Sequence, residues 1–140
     1  MKNYFIIITL LISVLANAQC DLKTNNRPDG NTIKYFNPKP VIRQTQFEVG
    51  TAIYKNVTAD RYMVNISVLF MGINPMDVTG DLTIQTSSQK SIVLKLINSN
   101  KIKMNGRELT VALFDLDHSS KKNLEKNYLN SLFFKMNGKV

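Results

Sequence analysis

The period-two alternation that fills most of this 140-residue sequence predicts a mainly β chain. The expected architecture is an antiparallel sandwich or curled sheet of seven to eight strands with one C-terminal surface helix. Three observations carry that expectation. Apolar and polar residues alternate in successive runs between positions 47 and 116. Turn-forming clusters separate those runs, the strongest being Met104-Asn105-Gly106-Arg107. After the amino-terminal region, only the stretch 121–129 is rich in helix formers.

Residues 1–18 read as a cleavable secretory signal peptide. Lys2 supplies the positive region, Phe5 to Leu15 is an eleven-residue apolar run broken only by Thr9 and Ser13, and Ala16-Asn17-Ala18 is an A-x-A cleavage site. Crossing a bilayer takes about 20 apolar residues, so the run is too short for a transmembrane helix. A buried amino-terminal helix would account for the apolar run but not for the A-x-A spacing. Cleavage at Ala18-Gln19 predicts a periplasmic or secreted protein. Cys20 invites a lipoprotein reading, but a lipidated cysteine wants a small residue before it, and Gln19 stands there. As the one cysteine, Cys20 forms no intrachain disulfide, so the domain must be held by its core.

Residues 19–40 read as a polar amino-terminal arm. It is rich in turn formers (Asn25-Asn26-Arg27-Pro28-Asp29-Gly30-Asn31, then Pro38 and Pro40) and holds one short strand at Thr32–Phe36. A single β-rich domain is expected over 41–140. Within it Phe47, Val49, Thr51 and Ile53 alternate against Gln46, Glu48, Gly50 and Ala52. Tyr62, Val64, Ile66, Val68 and Phe70 line one face of the next strand. The opposite face, Met63 to Met71 by twos, is also partly apolar, which predicts a central strand covered on both sides.

A meander follows. Leu82 and Ile84 point inward, Ser87-Ser88-Gln89 turns the chain, Ile92, Leu94 and Leu96 alternate back, and Asn98-Ser99-Asn100 is expected to turn again. Asn105-Gly106 between two alternating runs predicts a type I′ turn, because both central residues must take positive φ. The strand over 108–116 carries Leu109, Val111 and Leu113 on one face and Ala112, Phe114 and Leu116 on the other, so it too is expected to be central.

Asp117-His118-Ser119-Ser120 offers N-caps for the helix over 121–129. Its apolar stripe, Leu124 and Tyr128, is thin enough to keep it on the surface. Residues 132–136 form the last strand. Asn137-Gly138 repeats the hairpin signal with only Lys139 and Val140 after it. That strand is therefore expected to pair on one side only, guarded by Lys135 and Lys139, and to be the edge used in any self-association.

Several segments together resemble small secreted β-rich proteins of unknown function common in Bacteroidota. They are the leader ending Ala-Asn-Ala-Gln-Cys, the segment Pro28-Asp29-Gly30-Asn31-Thr32-Ile33-Lys34-Tyr35, the hairpin from Gly80-Asp81-Leu82-Thr83-Ile84 to Ser91-Ile92-Val93-Leu94-Lys95-Leu96, and the late Ser/Lys-rich helix before a strand. The resemblance spans most of the chain and rests on no signature motif. It implies a periplasmic or outer-surface β-rich domain and brings no activity with it.

Asp115, Asp117 and His118 form the one cluster of metal-ligand or acid–base side chains. A metal or catalytic site needs three converging ligands or a tuned partner, and no second histidine exists. Capping of the helix by Asp117 and Ser119 accounts for the same residues more simply. The Gly and terminal Glu of a calcium loop are missing. Cys20 is far in sequence from His118, and there is no Gly-x-Ser-x-Gly elbow and no Gly-rich phosphate loop. Asn56-Val57-Thr58 and Asn65-Ile66-Ser67 match the glycosylation sequon, but Asn65 falls mid-strand and the leader looks bacterial. Tyr35, Phe36, Tyr54, Tyr62 and Tyr128 read as strand-packing aromatics rather than a ligand-lining set.

Cleavage removes Lys2 and leaves 17 Lys and Arg against 10 Asp and Glu, a net charge of +7. The cations are scattered singly, without a polybasic block. Binding to DNA, heparin or lipopolysaccharide is thus expected to be weak, sequence-independent and salt-sensitive. Two functions from different classes remain. One is a non-enzymatic binding or accessory module of the cell envelope, recognising an envelope protein, glycan or lipid through a sheet face or edge. The other is a small envelope hydrolase using Asp115, Asp117 and His118. The sparseness of catalytic residue types favours the first, with no cofactor and no catalytic or metal residue assigned.

Overall fold

Residues 21–137 are described by the computed structural model; residues 1–20, with the expected leader and Cys20, and residues 138–140, with Lys139, lie outside the described residues. Among the described residues ten strands and one helix follow one another: β1 (Leu22–Asn26), β2 (Thr32–Phe36), β3 (Lys39–Arg43), β4 (Phe47–Asn56), β5 (Arg61–Phe70), β6 (Asp77–Thr86), β7 (Ser91–Leu94), β8 (Leu96–Met104), β9 (Arg107–Leu116), α1 (His118–Lys126) and β10 (Leu129–Asn137). No helix among the described residues is long and apolar enough to cross a membrane.

Antiparallel pairing assembles two sheets. Seven strands form the larger, in the order β1-β2-β4-β5-β9-β8, with β3 also paired to β4; three form the smaller, in the order β10-β6-β7. The mainly β, antiparallel architecture, with one helix among the described residues, is the one the alternation predicts, though ten strands form where seven to eight were expected.

The core lies between the sheets. Val49, Val64, Ile66, Val68 and Phe70 meet Ala112, Phe114 and Leu116 from the larger sheet, with Val78, Leu82, Ile84, Ile92 and Leu94 from the smaller. All are buried, because alternate residues of each strand share one face. Both β5 and β9 are central, as their two apolar faces predict. β5 lies between β4 and β9, and β9 between β5 and β8. Their second faces build a smaller cluster of Ile33, Met63 and Leu113 with Tyr35 and Tyr54 packed on it.

Several expectations about the ends need correction. Residues 21–40 hold more than the one strand expected of a polar arm, since β1 pairs along its whole length with β2, and β2 pairs with β4. Its side chains are mostly exposed, so the hairpin rests on backbone pairing and on Gly30 at φ +83°, and leaves no alternation to read. β3 contains Pro40, which lacks an N–H to donate, and it occupies an outer position against β4 where that is tolerated.

Asn98-Ser99-Asn100 does not turn; it lies within β8. The change of direction comes earlier, at Lys95, where the chain leaves the small sheet and enters the large one. The Lys95 carbonyl accepts from the Asp115 N–H, and the pairing register skips next to it, between Leu96 and Asn98. Ser99 Oγ accepts from the Val78 N–H and ties the sheets together there.

The Asn105-Gly106 turn has both residues at positive φ, +51° and +73°, as a type I′ turn requires. The helix starts three residues earlier than its formers suggest, and it stops at Lys126. Asn127 closes it by donating from Nδ2 to the Asn123 carbonyl. Tyr128 is consequently not on a helical stripe with Leu124 but stands 85% exposed beyond the helix. β10 pairs with β6, and among the described residues its other edge is open.

Candidate functional site

The acidic cluster is dispersed by the end of β9. Asp115 is still in the strand, whereas Asp117 has left it to cap α1, so the two carboxylates do not share a strand face. Asp117 Oδ1 accepts from the Ser120 N–H at 2.9 Å and the Ser119 hydroxyl at 2.7 Å; Oδ2 accepts from the Ser120 hydroxyl at 2.7 Å. The Ser119 hydroxyl, then the Ser120 N–H and hydroxyl, hold its carboxyl far below the usual carboxylate range. Asp115 takes the Arg61 guanidinium at 2.6 Å. His118 is the exposed first residue of the helix. Among the described residues no three His, Cys, Asp or Glu side chains converge as a metal group. Asp117 is therefore committed to the helix cap, and Asp115 to Arg61.

The aromatic residues also separate. Tyr35 and Tyr54 do meet, with ring centroids 5.0 Å apart, on the outer face of the large sheet. Burial raises the Tyr54 phenol, and Tyr35 adds to the effect. Beside them lies a concavity of about 190 Å³, with Met63 and Leu113 among its lining and Arg27 and Arg61 at its polar parts. It is smaller than the roughly 300–1,000 Å³ typical of small-molecule pockets. Asn65, directly opposite Leu113 on this face, is fully buried. Its Oδ1 accepts from Ser67, and its Nδ2 has no partner. Burial removes it from glycosylation.

A feature that sequence reasoning missed lies on the other face. Three strands do not cover seven. The small sheet packs over the β8–β9 side of the large one, where β6 touches β8 and β9 and β7 touches β9. The β1–β2–β4 side extends past it. One cross-strand row shows the consequence. Phe114 pairs with Val64, and Val64 with Ile53. Continuing the register of Lys34 with Lys55 and Tyr35 with Tyr54 sets Phe36 beside Ile53, and Phe36 pairs with Leu22. Along this row exposure climbs from 0% at Phe114 and 3% at Val64 to 42% at Ile53, 41% at Phe36 and 49% at Leu22. The row is apolar throughout, yet only its inner part is covered.

Cations border the uncovered part. The adjacent row holds Lys34 opposite Lys55, then Tyr62. Lys55 Nζ and Lys121 Nζ both sit over the Tyr62 ring, at 5.0 and 4.8 Å from its centroid. Lys55 pairs with Asp60, and Lys121 with Glu125. The row on the other side holds Thr51 and its β3 partner Lys39. Among the described residues Lys34 and Lys39 have no acidic partner.

Comparison of the chain with protein-family models, with curated proteins and with solved structures finds no match.

Proposed function

We propose that the chain is an exported cell-envelope protein, released by cleavage at Ala18-Gln19, that acts as a non-enzymatic binding module through the overhanging face of its large sheet. The observation that carries this reading is the apolar row that leaves the core at Val64 and continues uncovered through Ile53, Phe36 and Leu22. Burying a large apolar side chain is worth about 1.5–3 kcal/mol, and each of these three is only partly buried. A partner that covered them would recover the remainder. Scattered exposed apolar residues need no explanation; a contiguous set in register, bordered by cations, marks a recognition surface. The basic border fits the anionic surroundings of an envelope.

The test is co-sedimentation of the mature protein with isolated envelopes, comparing the wild type with Phe36→Ser/Ile53→Ser. We expect the double variant to stay folded and to lose most of the association. Equal association of the two proteins would contradict the reading.

A further inference from the structure

We propose that this face receives an extended peptide segment of a partner protein whose inward side chains run acidic, apolar, acidic at alternate positions. The inference rests on the binding-face reading above and adds the chemistry of the occupant. Side chains on one face of a strand recur every second residue, about 7 Å apart. The overhang presents three successive rows at that spacing: Lys34 with Lys55, then Phe36 with Ile53, then Thr51 with Lys39. A strand laid along β2 and β4 has the same spacing, so it sets one inward side chain over each row. Its middle residue covers Phe36 and Ile53. Its outer two meet ammonium groups.

Charge decides what those outer residues are. Lys34 and Lys55 stand directly opposite each other, and like charges so placed destabilise a sheet. Asp60, 84% exposed, pairs with Lys55 alone, which leaves Lys34 and Lys39 without an acidic partner among the described residues. A carboxylate over the first row offsets the repulsion, and a second one over the third row meets Lys39. The backbone points the same way. β10 is the strand of the small sheet on the far side of β6 from β7, and its outer edge is open among the described residues. A peptide strand added there would extend the small sheet and gain main-chain hydrogen bonds that a lipid does not offer.

The probe is the fluorescein-labelled peptide Thr-Glu-Thr-Phe-Thr-Glu-Thr, titrated with the mature protein by fluorescence anisotropy. Thr-Lys-Thr-Phe-Thr-Lys-Thr and a parent peptide N-methylated at every second residue serve as controls. We expect the Lys peptide to bind at least tenfold more weakly, the N-methylated peptide to lose binding, and Lys34→Glu/Lys55→Glu to reverse the charge preference. No binding at millimolar peptide, equal affinity for the Glu and Lys peptides, or undiminished binding of the N-methylated peptide overturns the proposal. If Phe36→Ser still removes binding that shows no charge preference, the face reading survives and the acidic pattern falls. Peptide binding that Phe36→Ser leaves unchanged overturns both. Adsorption to phosphatidylglycerol vesicles without binding of the acidic peptide assigns the face to a membrane and also overturns the proposal.

Discussion

Replacing Asp117 by Ala separates a capping role from a chemical one, and the structure sets the size of the effect. Asp117 supplies acceptors to one backbone N–H and two hydroxyls, and Ser120, which makes two of those bonds, is only 9% exposed. No acidic residue occupies the first turn of α1, so Asp117 alone faces the positive end of the helix dipole. Loss of an N-cap costs about 0.5–2 kcal/mol. Three bonds and an unshared dipole place Asp117→Ala in the upper half of that range, about 1.5 kcal/mol. Asn caps as well as Asp, so Asp117→Asn should lose only the charge contribution, about 0.5 kcal/mol.

The effect has a pH signature. The carboxyl is held below its ordinary value of 3.8 in the folded state. Its stabilisation is therefore complete above about pH 5 and is lost progressively as the pH falls from there toward the folded value. Urea unfolding should show a constant gap between wild type and Asp117→Ala from pH 7 to about pH 5, narrowing below. A gap under about 0.3 kcal/mol at pH 7, or an Asn variant as damaged as the Ala variant, would refute the capping argument.

Three further outcomes follow from the same geometry. Asn105→Ala/Gly106→Ala should cost about 1 kcal/mol or more, because Ala is strained at positive φ; an unchanged melting temperature would contradict the type I′ turn. His118→Ala should change stability by less than about 0.5 kcal/mol in chemical denaturation, since the side chain is exposed; a loss above about 2 kcal/mol would mean that it is engaged. Mass spectrometry of the envelope-fraction protein should find Gln19, free or cyclised, at the amino terminus; a diacylated Cys20 would contradict cleavage at Ala18-Gln19.

What the sequence discloses is local. β5 and β9 announce themselves as central because apolar residues occupy both of their faces. The Asn105-Gly106 turn is legible because two adjacent positive φ values are affordable to few residue pairs. The Asp117 cap is legible because carboxylates and hydroxyls cluster just before the helix formers. The polar strand β1 and the outward-facing residues of β8 are held by backbone pairing, which leaves no mark on side-chain pattern. The overhang is hidden for a different reason. Leu22, Phe36, Ile53, Val64 and Phe114 each satisfy an ordinary strand alternation, and nothing local says which of them the second sheet reaches. Only the mismatch of seven strands against three, together with the register across five strands, separates the buried end of that row from the exposed end.

The most direct test of the proposed binding face is site-specific photo-crosslinking in cells that express the protein, with p-benzoylphenylalanine in place of Phe36 on the overhang. Val93, 54% exposed on the outward face of the small sheet, is the control position. The account predicts a discrete adduct with an envelope component from position 36 and none from position 93. No adduct from position 36, or the same adducts from both positions, would contradict it.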